Sequence, residues 1–133
     1  MNRKISRETT MKLLYQMSIN KENYLDIINN YKENTEEKLD NVDFDYIEKV
    51  LKGVEENKES IDEKIQEHST KWKINRISKI NLAILRIATY EIMCEEEIPN
   101  KVSVNEAIEL AKKYSEDKSP AFVNGVLGNM IQK

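Results

Sequence analysis

The side chains in this sequence that are best suited to chemistry are cationic, and three of them lie near the N-terminus. Arg3, Lys4 and Arg7 occur at positions i, i+1 and i+4, so Arg3 and Arg7 share a face if a helix extends that far. The arginine guanidinium is a planar fork of donors that matches two phosphate oxygens. The spacing therefore predicts an arm that contacts phosphates, and the alternative interpretation is a frayed, solvated terminus.

Residue types that support catalysis or metal binding are scarce. Cys94 and His68 are the only cysteine and histidine, which is too few for a structural zinc site, and Cys94 is expected to pack as a small hydrophobe in an apolar helix. The three glycines are isolated from one another, so the sequence contains no glycine-rich phosphate loop. Paired carboxylates are abundant but resemble solvated helix faces. We therefore predict a protein that is not an enzyme, with no catalytic residues, no metal ligands and no cofactor.

The length of 133 residues predicts a single domain over residues 1–133, large enough to bury a core. One cysteine excludes an internal disulfide and indicates a reducing compartment. No apolar segment follows Met1, and no run approaches the length of a membrane span. We expect a cytoplasmic protein with no membrane contact.

Charge is distributed unevenly along the chain, although the net charge is only −3. Residues 33–70 contain 13 acids and five bases, whereas residues 71–90 contain five bases and no acid. This polarisation permits a basic face on an acidic protein.

Helical periodicity dominates the chain, and three Gly, two Pro and two Phe argue against a sandwich or barrel. Ser6 is a candidate N-cap for the first helix, and an earlier start of that helix is the alternative. Residues 71–97 form an apolar stretch that begins at Trp72 and predicts a helix buried on nearly all sides. Arg86 lies within it, and we expect it to form an internal ion pair because buried charges are paired.

Two further helices are predicted near the C-terminus. Ser103 and Glu106 fit a capping box, and Ser119-Pro120 fits an N-cap followed by proline at the first helical position. Asn124-Gly125 falls within the apolar face of the second helix. There we expect Asn124 to make a buried hydrogen bond and Gly125 to permit a close helix crossing.

Five short motifs resemble the NusB family of bacterial transcription antitermination factors when they are taken in order. They are Arg7-Glu8 with Leu14-Tyr15-Gln16, Asp43 and Tyr46 with Leu51, Gly53 and Val54, the run 83–91, Ile98-Pro99, and the run 101–112 with 122–127. Each motif is moderately specific, but five at compatible spacing are highly specific.

The resemblance implies an all-α fold, a compact bundle of about seven helices in two packed helical subdomains. It further implies a factor that binds RNA together with NusE, a ribosomal protein. In this family the two proteins recognise the boxA element of nascent ribosomal RNA leaders and help RNA polymerase resist termination.

The resemblance also implies site residues. Those expected to contact single-stranded RNA are Arg3, Lys4, Arg7, Lys118, Pro120 and Phe122. Those expected to contact NusE are Ile77, Ile80 and Asn81. Phe122 is equally compatible with a core position.

The sequence departs from the family where Ile5 and Ser6 interrupt the N-terminal basic run. Fewer phosphate contacts predict weaker RNA binding alone and strong dependence on the partner.

Two alternatives remain open from the sequence. One is a homodimeric or protein-binding helical module without RNA affinity of its own. The other is a detached NusB-like domain of an rRNA cytosine methyltransferase.

Overall fold

The computed structural model describes residues 3–35 and 41–132, and within these ranges the chain folds into seven α-helices with no strand. The helices are α1 (Arg3–Asn20), α2 (Tyr24–Asn34), α3 (Phe44–Glu56), α4 (Lys58–His68), α5 (Lys79–Cys94), α6 (Asn100–Tyr114) and α7 (Ser119–Ile131). A short 3-10 helix, Ile74–Arg76, lies between α4 and α5. The predicted all-α fold is confirmed. No helix in the part of the chain that the structure describes is long and apolar enough to span a bilayer.

The backbone divides into two compact units. The N-terminal unit, Met1–Glu56, contains α1 to α3, and the C-terminal unit, Asn57–Lys133, contains α4 to α7. The single domain predicted over residues 1–133 stays a prediction.

The N-terminal unit forms around apolar side chains that α1, α2 and α3 contribute at helical spacing. The buried ones include Met11, Leu14, Ile27, Ile28, Ile47, Val50 and Leu51. Each side chain of this kind contributes about 1.5–3 kcal/mol when it is removed from water. Hydrophobic burial therefore determines how the three helices pack.

Ser6 lies inside α1 and does not cap it. The helix begins at Arg3, and the Ser6 hydroxyl is fully buried, where it accepts a hydrogen bond from the backbone N–H of Asp43 at 2.8 Å. The Asp43 carboxylate in turn accepts from the backbone N–H of Tyr46 at 3.1 Å. The predicted N-cap role was wrong because this long-range contact, which joins α1 to the start of α3, uses the hydroxyl instead.

The C-terminal unit is built around α5, which packs against α4, α6 and α7. Its buried residues lie on nearly every side of the helix, as the apolar run predicted. The helix begins only at Lys79, however, because residues 71–78 form a loop that includes the 3-10 helix. Trp72 is therefore outside the buried helix, and 51% of its surface is exposed.

Two other local predictions for this unit were wrong. The helix α6 begins at Asn100, one turn before the predicted capping box, and Ser103 is buried and donates to Glu91 Oε1 at 2.7 Å. Cys94 is exposed at the end of α5 and does not pack in the core. Partial burial raises the pKa of the Cys94 thiol, and the neighbouring charge of Glu95 raises it further.

The predicted ion pair of Arg86 is present and joins α5 to α4. Arg86 Nε and Nη2 each donate to a different carboxylate oxygen of Asp62, both at 2.9 Å. The two side chains are only 12% and 24% exposed, so the pair is largely shielded from water. A bidentate pair in this setting is stronger than a surface ion pair.

We expect Asp62→Ala to lower the free energy of unfolding by about 2 kcal/mol, because the guanidinium of Arg86 would stay largely buried and lose two charge-assisted hydrogen bonds. Urea denaturation measures the change. Glu109→Ala is the matched control, because its pair with Lys112 is more than half exposed and should contribute less than about 0.5 kcal/mol. Equal losses in the two variants would contradict this assignment.

Candidate nucleic-acid interface

The first two turns of α1 carry the N-terminal basic residues, and Tyr46 of α3 contacts two of them. The Cζ atom of Arg3 lies 4.5 Å from the centroid of the Tyr46 ring, and that of Arg7 lies 5.9 Å from it. Both distances are within the range of cation–π contacts. The tyrosine therefore contacts two guanidinium groups of α1, which the i, i+4 spacing places on one side of the helix.

Exposure separates the three basic residues. Arg3 and Lys4 are exposed, whereas Arg7 is only 5% exposed. The first turn of α1 contains no acidic residue, so the positive end of the helix dipole adds to the two exposed charges. Arg3 and Lys4 thus carry their charges at the solvent-exposed start of the helix, and Arg7 lies within cation–π range of the same Tyr46 ring that Arg3 contacts.

The turn between α6 and α7 carries the other predicted RNA-contacting residues. Lys118 is exposed at the N-cap position of α7, and Pro120 and Phe122 are half-buried in the first turn of that helix. The side chain of Lys118 makes no capping hydrogen bond, and the first turn of α7 contains no acidic residue. This region resembles the start of α1 in carrying an exposed cation at the start of a helix, but here Glu116 and Asp117 directly precede that cation.

Ser119 is not the N-cap of α7, because its side chain belongs to a buried network centred on Asn81. Asn81 Nδ2 donates to Ser119 Oγ at 3.0 Å, and Asn81 Oδ1 accepts from the Ser115 hydroxyl at 2.7 Å. The two serine hydroxyls are 2.9 Å apart. The network ties the start of α5 to both ends of the turn that contains Lys118.

Of the three residues predicted to contact NusE, Ile80 and Asn81 lie in the first turn of α5 and Ile77 lies two residues before the helix, and all three have little exposed surface. Ile77 is 8% exposed and Asn81 is 9% exposed, while Ile80 is half-buried. The amide of Asn81 already uses both its oxygen and its nitrogen within the unit. Of the three, Ile80 presents the most surface to a partner.

The dipeptide Asn124-Gly125 lies on the exposed face of α7, so its predicted burial was wrong. A methyl group added to Gly125 would meet nothing within 4 Å, which excludes a close helix crossing within the described residues. The buried face of α7 consists instead of Val123, Val126, Leu127 and Met130. Asn124 and Gly125 lie between the buried residues Val123 and Val126 in the sequence, but the turn of the helix places them on its exposed face.

Among residues 3–35 and 41–132, no group of three or more His, Cys, Asp or Glu side chains is arranged to hold a metal ion. The fold and its cationic side chains define a class of protein, an all-α protein that presents basic residues at the first turns of helices. Anions and phosphates bind favourably in such positions.

Comparisons with known proteins identify the family. A family model described as the NusB family matches residues 4–132. The transcription antitermination protein NusB of Clostridium novyi (strain NT) is 68% identical over 132 residues, which cover 99% of each chain. The chain therefore belongs to the NusB family.

Solved structures agree with this assignment. NusB of T. maritima is 33% identical with a TM-score of 0.85, and the match covers 98% of this chain and 90% of that one. A chain from a crystal structure of the antitermination factors NusB and NusE in complex with dsRNA is 26% identical with a TM-score of 0.81. That match covers 96% of this chain and 94% of the other.

We expect Asn81→Ala to lower the free energy of unfolding by about 1–2 kcal/mol, because two largely buried serine hydroxyls would lose their amide partner. Thermal or urea unfolding measures the loss. Asn105→Ala, at an exposed position of α6, is the matched control and should change stability by less than about 0.5 kcal/mol. An Asn81→Ala variant with unchanged stability and weakened affinity for NusE would instead assign Asn81 to the partner interface.

Proposed function

We propose that this protein is a transcription antitermination factor that binds RNA together with NusE, acts in the cytoplasm and has no enzymatic activity. Its RNA target is the boxA element of nascent ribosomal RNA leaders, and the outcome is that RNA polymerase resists termination. The observation that carries the proposal is the 68% identity, along 99% of both chains, to a transcription antitermination protein. The related complex that contains NusB, NusE and dsRNA supports both partners.

In this proposal the first turn of α1 contributes phosphate contacts. Arg3 and Lys4 bind phosphate oxygens. Arg7 is buried and contacts the same Tyr46 ring as Arg3, so it adds positive charge next to this site. Phosphate contacts position a nucleic acid and carry no sequence information by themselves. This region therefore contributes affinity more than sequence preference.

The turn before α7 contributes a second set of contacts. Lys118 binds a phosphate, and the half-buried ring of Phe122 offers its remaining exposed surface to an unpaired base, with Pro120 beside it. Single-stranded RNA is commonly read by stacking of bases on aromatic side chains. NusE adds a further surface, with Ile80 as the most accessible of the candidate contact residues.

The alternatives are less well supported. A detached methyltransferase domain is disfavoured, because the C. novyi relative is an antitermination protein matched along 99% of its own length. A protein-binding or homodimeric module without RNA affinity would not require the exposed Arg3 and Lys4 at the acid-free start of α1.

We expect the double variant Arg3→Ala/Lys4→Ala to bind a boxA-like single-stranded RNA more weakly and with less salt dependence. Losing two phosphate contacts should make the slope of log affinity against log salt shallower by about 1.4, at about 0.7 per phosphate. Fluorescence anisotropy at several salt concentrations, with and without NusE, measures both quantities. A scrambled RNA tests sequence preference.

The control for this experiment is Lys12→Ala/Lys52→Ala, which removes the same charge from exposed positions of the same unit. It should leave the salt slope nearly unchanged. An equal change in slope in both double variants would show a general charge effect and would contradict a phosphate site at the start of α1.

We expect Lys118→Asp to weaken RNA affinity at low salt without destabilising the fold. Lys118 is exposed at the N-terminal end of α7 and its side chain makes no capping hydrogen bond, so replacing it removes no such bond, and a negative charge at the positive end of the helix dipole should hold the melting temperature. Lys118→Asn removes the positive charge without adding a negative one, so it should give an intermediate affinity. Unchanged affinity in both variants would remove this turn from the RNA site.

A further inference from the structure

The loop that joins α4 to α5 carries an exposed aromatic residue that no step of the proposed mechanism uses. Trp72 is 51% exposed and is the largest of the exposed hydrophobic side chains among the described residues. It is also the only tryptophan in the sequence. With about half of its surface in water, the indole forgoes part of the roughly 1.5–3 kcal/mol that burial of a large apolar side chain contributes, and it leaves an aromatic surface that a ligand can cover.

Hydrogen bonds from Gln66 of α4 and from Ser69, the residue that follows α4, hold the backbone at Trp72 in place. The Ser69 hydroxyl donates to the carbonyl oxygen of Trp72 at 2.6 Å, and Gln66 Nε2 donates to the same oxygen at 3.4 Å. Gln66 Oε1 accepts from the backbone N–H of Ile74 at 2.7 Å. The indole thus extends from a braced segment, which lowers the entropy cost of using it as a binding surface.

Within residues 71–79 every charged residue is basic, and the nearest acid in the sequence is Glu67, in the last turn of α4. The four basic residues, Lys71, Lys73, Arg76 and Lys79, are all exposed. Residues 71–90 contain no acid, and the one other base in that range, Arg86, is already paired with Asp62. Trp72 therefore lies directly between two exposed lysines, with two further cations within the next seven residues.

An aromatic platform flanked by cations matches the chemistry of single-stranded nucleic acid. Bases stack on the ring, and lysine and arginine neutralise the adjacent phosphates. A protein hot spot built on tryptophan lies instead in a patch depleted of charged residues, particularly lysine. The four basic residues of the segment 71–79 therefore favour a polyanionic ligand over an apolar protein surface.

We propose that residues 71–76 form an additional RNA-contact site, in which an unpaired base stacks on the Trp72 indole and Lys71, Lys73 and Arg76 bind the flanking phosphates. The proposal rests on the RNA-binding function proposed above and extends it to a segment that the resemblance does not assign. It requires unpaired bases, because the faces of bases inside a duplex are covered by their neighbours.

The sole tryptophan makes the test direct, since the intrinsic fluorescence of the protein reports on Trp72 alone. Unlabelled boxA-like single-stranded RNA is titrated into the full-length protein while tryptophan emission is followed, and labelled RNA is followed in parallel by anisotropy. We expect quenching that saturates at the same RNA concentration as the anisotropy. A fully paired duplex of the same sequence should quench much less.

Variants separate stacking from simple exposure. Trp72→Ala should weaken RNA binding about tenfold, within the range measured for stacking of one base, and Trp72→Phe should recover part of that loss. Val102→Ala is the matched control, because Val102 is an exposed apolar residue of the same unit and should leave affinity unchanged. Denaturation should show equal stability for all three variants and the wild type.

The outcomes distinguish this inference from the proposed function. If RNA binds by anisotropy but emission is unchanged and Trp72→Ala binds normally, the additional site is wrong and the RNA-binding function stands. If the wild type binds no RNA, with or without NusE, both fail. If Trp72→Ala keeps its RNA affinity but binds NusE more weakly, the segment is a protein-binding site and the inference is overturned.

Discussion

The C-terminal unit depends on one constraint, which is that α5 is buried on nearly every side and must still provide partners for its buried charged and amide side chains. Three of them reach three different neighbours, since Arg86 pairs with Asp62 of α4, Glu91 accepts from Ser103 of α6, and Asn81 bonds to Ser119 of α7. Apolar packing alone tolerates small slides of one helix on another, whereas a buried polar group without its partner is costly. These links therefore set the register of the helices around α5.

That register has a consequence for the surface. The Asn81 network holds both ends of the turn before α7, so the exposed Lys118 at the start of that helix is carried on a fixed support. The N-terminal unit shows the same dependence on a buried polar contact. The Ser6 hydroxyl accepts a hydrogen bond from the residue that precedes α3, and a lysine or arginine at position 6 would lose this contact. The interruption of the basic run, which sequence comparison treats as a loss of phosphate contacts, is in physical terms a packing requirement of α1.

The sequence was most informative where local periodicity decides the structure and least where distant residues meet. The apolar repeats predicted the all-α fold and the buried α5, and the rule that buried charges are paired predicted an ion pair for Arg86. The hydrogen-bond partner of Ser103 is Glu91, which is twelve residues away in the sequence. Local sequence alone could not distinguish this contact from a capping box with Glu106. Trp72 was assigned to the buried helix because the apolar residues of the loop continue directly into those of α5, and hydropathy does not show that the helix begins only at Lys79. Its flanking lysines were the available signal for exposure.

A protein with a net charge of −3 attracts RNA only through local groups, because charges farther away than about 8–10 Å are largely screened at physiological salt. Three groups of its exposed cations are candidates for such contacts: Arg3 and Lys4 at the start of α1, Lys118 at the start of α7, and the four bases of residues 71–79. In contrast, residues 33–70 contain 13 acids. Each such cluster offers only a few phosphate contacts and therefore modest affinity. Joint binding with a partner that contacts the same RNA converts weak contacts into one stable assembly through effective concentration. The sparse basic residues of this chain are thus consistent with a factor whose RNA binding depends on NusE.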